Sequence, residues 1–85
     1  MEIEFDPAKD AVNVAKHGVS LAEFTGFDAE PNVIVDDRYD YGETRFQARG
    51  AINGKPFCLV YVETTTGIRL ISLRRAHAKE IRRHG

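Results

Sequence analysis

The sequence is poor in cysteine and in long apolar runs, and each shortage excludes a class of protein. Its one cysteine, Cys58, rules out an internal disulfide and lies in the apolar run 57–62, which favours a buried strand residue over a nucleophile. No apolar run approaches the roughly 20 residues that span a bilayer. The chain begins with acidic residues where a secretion signal would be basic, so we expect a cytoplasmic protein without a membrane anchor.

Length and composition are those of one small globular domain. Of the 85 residues, 42% are hydrophobic and 29% are charged, which is enough apolar material for one modest core. The sequence also lacks internal repeats, low-complexity segments and long linkers. We therefore expect a single domain over residues 1–85.

The net charge of −1 conceals a separation of the two signs along the chain. Residues 1–44 carry eleven acids and three bases, a net charge of −8, whereas residues 69–85 carry six bases and one acid, or +5. Residues 45–68 lie between them at +2. This asymmetry indicates that the basic half meets RNA, DNA or an acidic protein, although a merely solvated surface is the alternative.

The first third of the chain predicts a short strand followed by a helix. Asp6 and Pro7 mark the start of the helix, and Gly18 marks its end. Four apolar residues recur at helical spacing and should face the core: Ala8, Ala11, Val12 and Ala15. The opposite face should then carry four polar residues: Lys9, Asn13, Lys16 and His17.

A second short helix is predicted directly afterwards. Ser20 and Glu23 form a capping box, and the helix should run from about residue 21 to Gly26. The two helices would form a hairpin whose apolar residues, including Leu21 and Phe24, cover one face of a sheet.

The rest of the chain predicts an antiparallel meander. Strands are expected over 33–35, 44–52, 57–64 and 68–73, and Asn53-Gly54 is the preferred two-residue hairpin turn. This turn sets a register on the face that packs against the helices, with three pairs: Phe46 with Tyr61, Ala48 with Leu59 and Gly50 with Phe57. Residues 76–84 predict a weak, basic C-terminal helix.

The other face of the sheet should carry arginines around an apolar strip. Alternation places Arg45 and Gln47 there, opposite Val62 and Val60, and the last strand should add Arg69, Ile71, Leu73 and Arg75. A lone small domain cannot bury such a face. We therefore expect it to receive the C-terminal segment, a partner or an extended ligand.

Taken in order, four segments of the chain resemble the BrnT toxin family, whose members are similar to the RelE ribonucleases. The segments are Phe5-Asp-Pro-Ala-Lys9, Asn13-Val-Ala-Lys-His-Gly-Val19, Asp37-Arg-Tyr-Asp-Tyr-Gly-Glu43 with Arg45-Phe46, and Arg69-Leu-Ile-Ser-Leu-Arg-Arg-Ala76 with Glu80 and Arg82. The sequence departs from the family at Phe5, where tryptophan is usual.

The resemblance implies a RelE-like α+β fold, in which a short N-terminal strand and a two-helix hairpin pack on a four- to five-stranded antiparallel sheet, with a basic C-terminal helix. It also implies a toxin of a type II toxin-antitoxin system that cleaves RNA and inhibits translation. A BrnA-like antitoxin that also binds DNA would neutralise it. Separately, the apolar strip on the sheet and the weak tail helix predict a partner, either an antitoxin or a second copy of the chain, in a homodimer or in a heterotetramer with the antitoxin.

RNA is cut without a metal when a base, an acid and several cations act together on the 2′-hydroxyl, the leaving oxygen and the phosphorane. The residues predicted to be catalytic are Lys9, Lys16, His17, Glu43, Arg69 and Arg74. Those predicted to bind RNA are Arg45, Arg49, Arg75, Tyr39 and Tyr41. The acids at 36, 37, 40 and 43 lack the spacing of a calcium loop, so no metal or other cofactor is expected.

A non-catalytic RNA- or protein-binding module is the alternative function. In that case His17 and Lys16 only stabilise the end of their helix, where cations are favoured by the dipole, and Glu43 is structural. A base and an acid that converge on the cleft of the arginines would distinguish the enzyme. A DNA-binding protein is disfavoured because the predicted helix hairpin is acidic around Glu23, Asp28 and Glu30.

Overall fold

The computed structural model describes residues 2–37 and 42–76, which form one mixed sheet with a single α-helix beside it. The predicted C-terminal helix therefore lies outside the described residues. Within the described residues, no helix is long and apolar enough to cross a membrane. The elements in chain order are β1 (Glu2–Phe5), α1 (Pro7–His17), a 3₁₀ turn (Leu21–Glu23), β2 (Asn32–Asp36), β3 (Arg45–Ile52), β4 (Lys55–Glu63) and β5 (Gly67–Arg75).

The sheet order is β1-β5-β4-β3-β2. Strands β2 to β5 form the predicted antiparallel meander, but β1 pairs with β5 in parallel, so the expectation of a wholly antiparallel sheet was wrong. The parallel pairing requires a close approach at Gly67, where a side-chain carbon would collide with the backbone of Glu2.

The register predicted for the β3–β4 hairpin is confirmed. Phe46 pairs with Tyr61, and Ala48 pairs with Leu59. The turn between the strands has left-handed backbone at both central positions, with φ of 51° at Asn53 and 76° at Gly54. Asp28 stabilises this turn, since its carboxylate accepts the backbone N–H groups of both residues at 2.9 and 2.8 Å.

The predicted two-helix hairpin is wrong, because the second helix is only the three-residue 3₁₀ turn. The capping box of Ser20 and Glu23 is present as predicted. Immediately after it, Phe24 adopts extended backbone, and Gly26 has a φ of 134°. The extended path places Phe24 and Phe27 in edge-to-face contact, with ring centroids 5.3 Å apart. Thr25, which is β-branched, and Gly26 therefore disfavour continuation of the helix. The chain covers the sheet with the two aromatic rings instead.

The core lies between this aromatic segment and one face of the sheet, here called the covered face. Its buried members come from the 3₁₀ turn, the residue that follows it and three strands: Leu21, Phe24, Ala48, Leu59, Leu70 and Leu73. Phe57 and Tyr61 of β4 pack against the same cluster, as the predicted register requires. The opposite side of the sheet is called the open face.

Helix α1 packs mainly against β5, and it does so through the side that was predicted to be polar. The four residues of its predicted apolar face are all exposed, with Val12 at 60%. Asn13 is the buried residue of the helix, at 4%. The prediction failed because three alanines and a valine offer little apolar area, whereas the outer edge of β5 presents backbone groups that need polar partners.

Asn13 supplies those partners. Its side-chain amide donates to the carbonyl oxygen of Leu73 at 2.9 Å and to that of Val19 at 2.8 Å, while its oxygen accepts the Leu73 N–H at 3.0 Å. Strand β1 occupies the same edge of β5 only from Gly67 to Leu70. One amide side chain therefore continues the strand pairing where β1 has ended.

We expect Asn13→Ala to lower the free energy of unfolding by about 2 to 4 kcal/mol, because it leaves two buried backbone groups of Leu73 and the part-buried carbonyl of Val19 without their partner. Urea unfolding monitored by circular dichroism would measure the loss. The matched control is Val12→Ala at a 60% exposed position of the same helix, which should change stability by less than about 0.5 kcal/mol. Equal stabilities of the two variants would show that the amide does not hold the helix to the sheet.

Candidate functional site

The last turn of α1 places the side chains of Lys16 and His17 over the open face of the sheet. Gly18 closes the helix with a φ of 71°, and its N–H donates to the carbonyl of Val14 at 2.8 Å. Lys16 and His17 are in the last turn, where the helix dipole favours cations. Because Asn13 is fixed to β5, the turn that follows it is fixed as well.

A cleft of about 260 Å³ lies between this turn and the open face, and we call it the cationic cleft. It draws residues from α1 and from four strands: Lys16, His17, Asp36, Arg45, Gln47, Cys58, Val60, Ile71, Ser72 and Arg74. The cleft therefore joins four of the residues predicted from the sequence, namely Lys16, His17, Arg45 and Arg74.

The strand register explains how the residues of the cleft meet. Asp36 of β2 pairs with Arg45 of β3, and Cys58 of β4 pairs with Arg74 of β5. Side chains of directly paired residues lie on the same face of a sheet. The open face thus carries, across four adjacent strands, a carboxylate, an arginine, a thiol and a second arginine.

A β-bulge corrects the predicted alternation of β5. The register shifts between Val60 and Tyr61, so that Val60 pairs with Ser72 and Tyr61 pairs with Leu70. After the shift Leu73 lies in the core, 1% exposed, instead of on the open face. One extra residue in β5 moves every later side chain of the strand to the opposite face of the sheet. Alternation counted from the β4–β5 turn could not reveal this shift.

Arg75 is consequently absent from the cationic cleft. It pairs with Phe57, and its guanidinium lies 5.5 Å from the centroid of that ring. This is a cation–π contact on the covered face, and it accounts for Arg75 as a structural residue. The open face carries Ser72 and Arg74 at this end of β5, where alternation had predicted Leu73 and Arg75.

His17 lies in the cleft, where its surroundings shift its pKa. Partial burial lowers its pKa from the ordinary value of 6.5, and the charges of Lys16 and Arg74 lower it further. All three influences disfavour the imidazolium. His17 is therefore neutral at pH 7, with a ring nitrogen able to accept a proton.

Arg49 lies on the open face beside the cleft. It is on β3, and Cys58 of β4 lies between it and Arg74 of β5. It pairs with Cys58, and its guanidinium donates to the side-chain oxygen of Gln47 at 2.9 Å. Its Nε and Nη1 atoms are buried and have no hydrogen-bond partner among the described residues. A buried guanidinium with donors left over is suited to an anionic ligand.

Glu43 and Arg69 do not line the cleft. Both border a separate depression at the end of the sheet, next to Thr64. Arg69 lies 3.9 Å from the carboxylate of Glu4 on β1. Glu43 lies 3.5 Å from Nε of Arg45, so it reaches the cleft only through that arginine. Tyr39 and Tyr41, predicted to stack bases, lie outside the described residues.

Lys9 lines a second cavity of about 200 Å³, which shares Lys16 and His17 with the cationic cleft. The sequence correctly grouped these three residues with Asn13 on one sector of the helix. It did not indicate that this sector faces the sheet.

Sequence reasoning missed three polar residues of the cleft, Asp36, Gln47 and Ser72. Asp36 and Gln47 are almost fully buried, at 5% and 6% exposed. The alternation of β3 had already placed Gln47 with Arg45, so that signal was available. Asp36 was considered only as a cation ligand, and Ser72 required knowledge of the bulge. Among residues 2–37 and 42–76, no three His, Cys, Asp or Glu side chains are grouped so as to hold a metal ion.

The fold and the cleft define a small α+β domain that gathers two arginines, a lysine and a histidine in one cleft. The family model of the ribonuclease toxin BrnT of type II toxin-antitoxin systems matches residues 5–80, and the chain belongs to this family. This confirms the resemblance drawn from the sequence. Members of such a family act on RNA and have an antitoxin partner. No curated protein matches the chain.

We expect His17 to titrate below pH 6.5, because burial and the charges of Lys16 and Arg74 all oppose protonation. NMR titration of the imidazole resonances would measure its pKa, and a His17→Gln variant would assign the signal among the three histidines. Lys16→Gln should raise this pKa without restoring 6.5, since burial remains. A pKa at or above 6.5 in the unmodified chain would contradict the described environment.

Proposed function

We propose that the chain is a metal-independent endoribonuclease that cleaves RNA in the cationic cleft and is neutralised by a BrnA-like antitoxin. Membership of the family supports ribonuclease activity in general. The observation that supports the finer proposal is the presence of His17, with its lowered pKa, beside Arg45 and Arg74 in one cleft. Cleavage of messenger RNA would account for inhibition of translation.

The reaction uses the nucleophile that RNA itself carries. His17 removes the proton of the 2′-hydroxyl, and the 2′-oxygen forms a bond to the adjacent phosphorus. The bond from phosphorus to the 5′-oxygen breaks, and Lys16 donates a proton to the departing oxygen. The products are a 2′,3′-cyclic phosphate and a free 5′-hydroxyl.

The two arginines of the cleft supply the electrostatic part of catalysis. Negative charge increases on the phosphate oxygens as the five-coordinate phosphorus forms, and guanidinium groups are suited to bind two such oxygens at once. Arg45 and Arg74 come from β3 and β5, so the register of the sheet fixes where both side chains leave the backbone.

A non-catalytic RNA-binding module would need only the cations. Such a module gains nothing from a base and an acid placed beside those cations. His17 and Lys16 line the same cleft as Arg45 and Arg74, and this convergence favours the enzyme over the binding module.

The proposal of a protein antitoxin is supported by apolar side chains that remain exposed on the edge strands. Val33 and Val35 of β2 are 44% and 55% exposed, and Ile3 of β1 is 39% exposed. Strand β2 ends the sheet on one side. Exposed apolar side chains on an edge strand are typical of surfaces that accept another chain.

Incubation of the purified chain with labelled, ribosome-free RNA in EDTA should give fragments that end in 2′,3′-cyclic phosphate. His17→Ala should lower kcat by roughly 10²- to 10⁴-fold, since it removes the general base. The rate should fall on the acid side with the pKa of His17, below 6.5, because protonation abolishes the base.

Lys55→Gln is the control, since this exposed lysine lines a different depression at the β3–β4 turn. It should cleave at the rate of the unmodified chain. Cleavage that stops in EDTA, or that survives in His17→Ala, would contradict the proposed mechanism. RNA binding without cleavage would support the binding module instead.

A further inference from the structure

We propose that Lys9 belongs to a flanking subsite for RNA, which holds a phosphate neighbouring the one that is cleaved. This inference rests on the proposed function. It gives Lys9 a binding role in place of the catalytic role expected from the sequence, because Lys9 lines a second cavity beside the cationic cleft.

The two cavities adjoin each other beside the helix. Both are lined by Lys16 and His17 of α1 and by Ile71 and Ser72 of β5. The cleft adds the arginines on the sheet side, and the second cavity adds Lys9, Val12 and Asn13 on the helix side. An extended ligand bound in the cleft and continuing past His17 would therefore enter the cavity of Lys9.

The spacing of the lysines fits two phosphates better than one. Lys9 and Lys16 are seven residues apart on the same sector of α1, which separates their backbones by about 10 Å along the helix axis. Lys16 is on the boundary between the cavities, whereas Lys9 is at the far end. Lys16 thus accompanies the reacting phosphate, and Lys9 is placed for the next one.

The position of Lys9 in the helix is unfavourable by itself. It is in the first turn of α1, where the dipole disfavours a cation, and the acidic Asp6 and Asp10 are the residues suited to that end. Asp6 is engaged as the N-cap, and Asp10 accepts hydrogen bonds from Ser20 and from the backbone of Leu21. Because both carboxylates have structural partners, the exposed Lys9 ammonium is available to a ligand.

The floor of the second cavity suits a nucleotide. Val12 is 60% exposed, and with Ile71 it provides apolar surface beside the ammonium groups. Ser72 provides a hydroxyl that can donate to or accept from a sugar or base. A nucleotide has the same combination of an apolar ring face, a polar sugar and a phosphate.

The test compares substrates of different length. Steady-state cleavage would be measured for a dinucleotide and for the same dinucleotide extended by one nucleotide on its 5′ side or on its 3′ side. Lys9→Gln should raise KM several-fold for one extended substrate, with kcat unchanged, and should leave the dinucleotide unaffected. Lys55→Gln is the matched control and should behave as the unmodified chain on all three substrates.

A binding experiment keeps the inference separate from the proposed function. Fluorescence anisotropy with a 2′-O-methyl oligonucleotide, which cannot be cleaved, would give affinity against salt concentration. Loss of one phosphate contact should reduce the slope of log affinity on log salt by about 0.7 in Lys9→Gln. This result in a chain that cuts no RNA would uphold the subsite and reject the nuclease.

Two results would overturn the subsite. An unchanged salt slope together with unchanged KM for every substrate would show that Lys9 does not contact RNA. An equal fall in kcat for the dinucleotide and the extended substrates would assign Lys9 to the reaction itself, as the sequence alone had suggested.

Discussion

The hydrogen bonds between the side chain of Asn13 and the backbone of Leu73 determine where the only α-helix of the described residues lies. The helix offers alanines and exposed valines to solvent, so burial of apolar area does not place it. Its place is set instead by the need of a sheet edge for polar partners, which a buried amide meets with one donor and one acceptor. His17 follows one turn later, and its position over the open face is a consequence of that contact.

The bulge in β5 is the second constraint on which the site depends. It allows Leu70 and Leu73, three residues apart, to be buried in the same core, where regular alternation would place them on opposite faces. The same shift places Arg74 in the cleft and places Arg75 against the ring of Phe57 on the covered face. The division of two adjacent arginines between structure and site thus follows from one irregular pair in the sheet.

Local signals in the sequence were sufficient wherever one interaction decides the structure. The Asn53-Gly54 turn fixed the β3–β4 register, and Asp6 and Gly18 bounded the helix. Signals that depend on distant partners failed. The burial of Asn13 needs the edge of β5, and the end of the second helix after three residues reflects the packing of Phe24 and Phe27 on the sheet.

The same distinction applies to the candidate site. Lys16 and His17 were found because helical spacing groups them, and Arg45 because the hairpin fixes its face. Alternation along β5 predicts only the face on which Arg69 lies. It does not show that Arg69 is near the end of the sheet, where it borders a different depression. Asp36 was missed because its place in the cleft depends on its pairing with Arg45 of β3. The polar segment between β2 and β3 has no turn motif that would predict this register.

The central claim is that His17 and Arg74 act on the same phosphate in one cleft, and a double-mutant cycle on RNA cleavage tests it most directly. The rates of His17→Gln, Arg74→Gln and the double variant would be compared with that of the unmodified chain by kcat/KM. Groups that serve one transition state are strongly non-additive, so the double variant should be little slower than the slower single variant. Losses that simply multiply would show that the two residues act independently and would contradict the cleft as a single catalytic site.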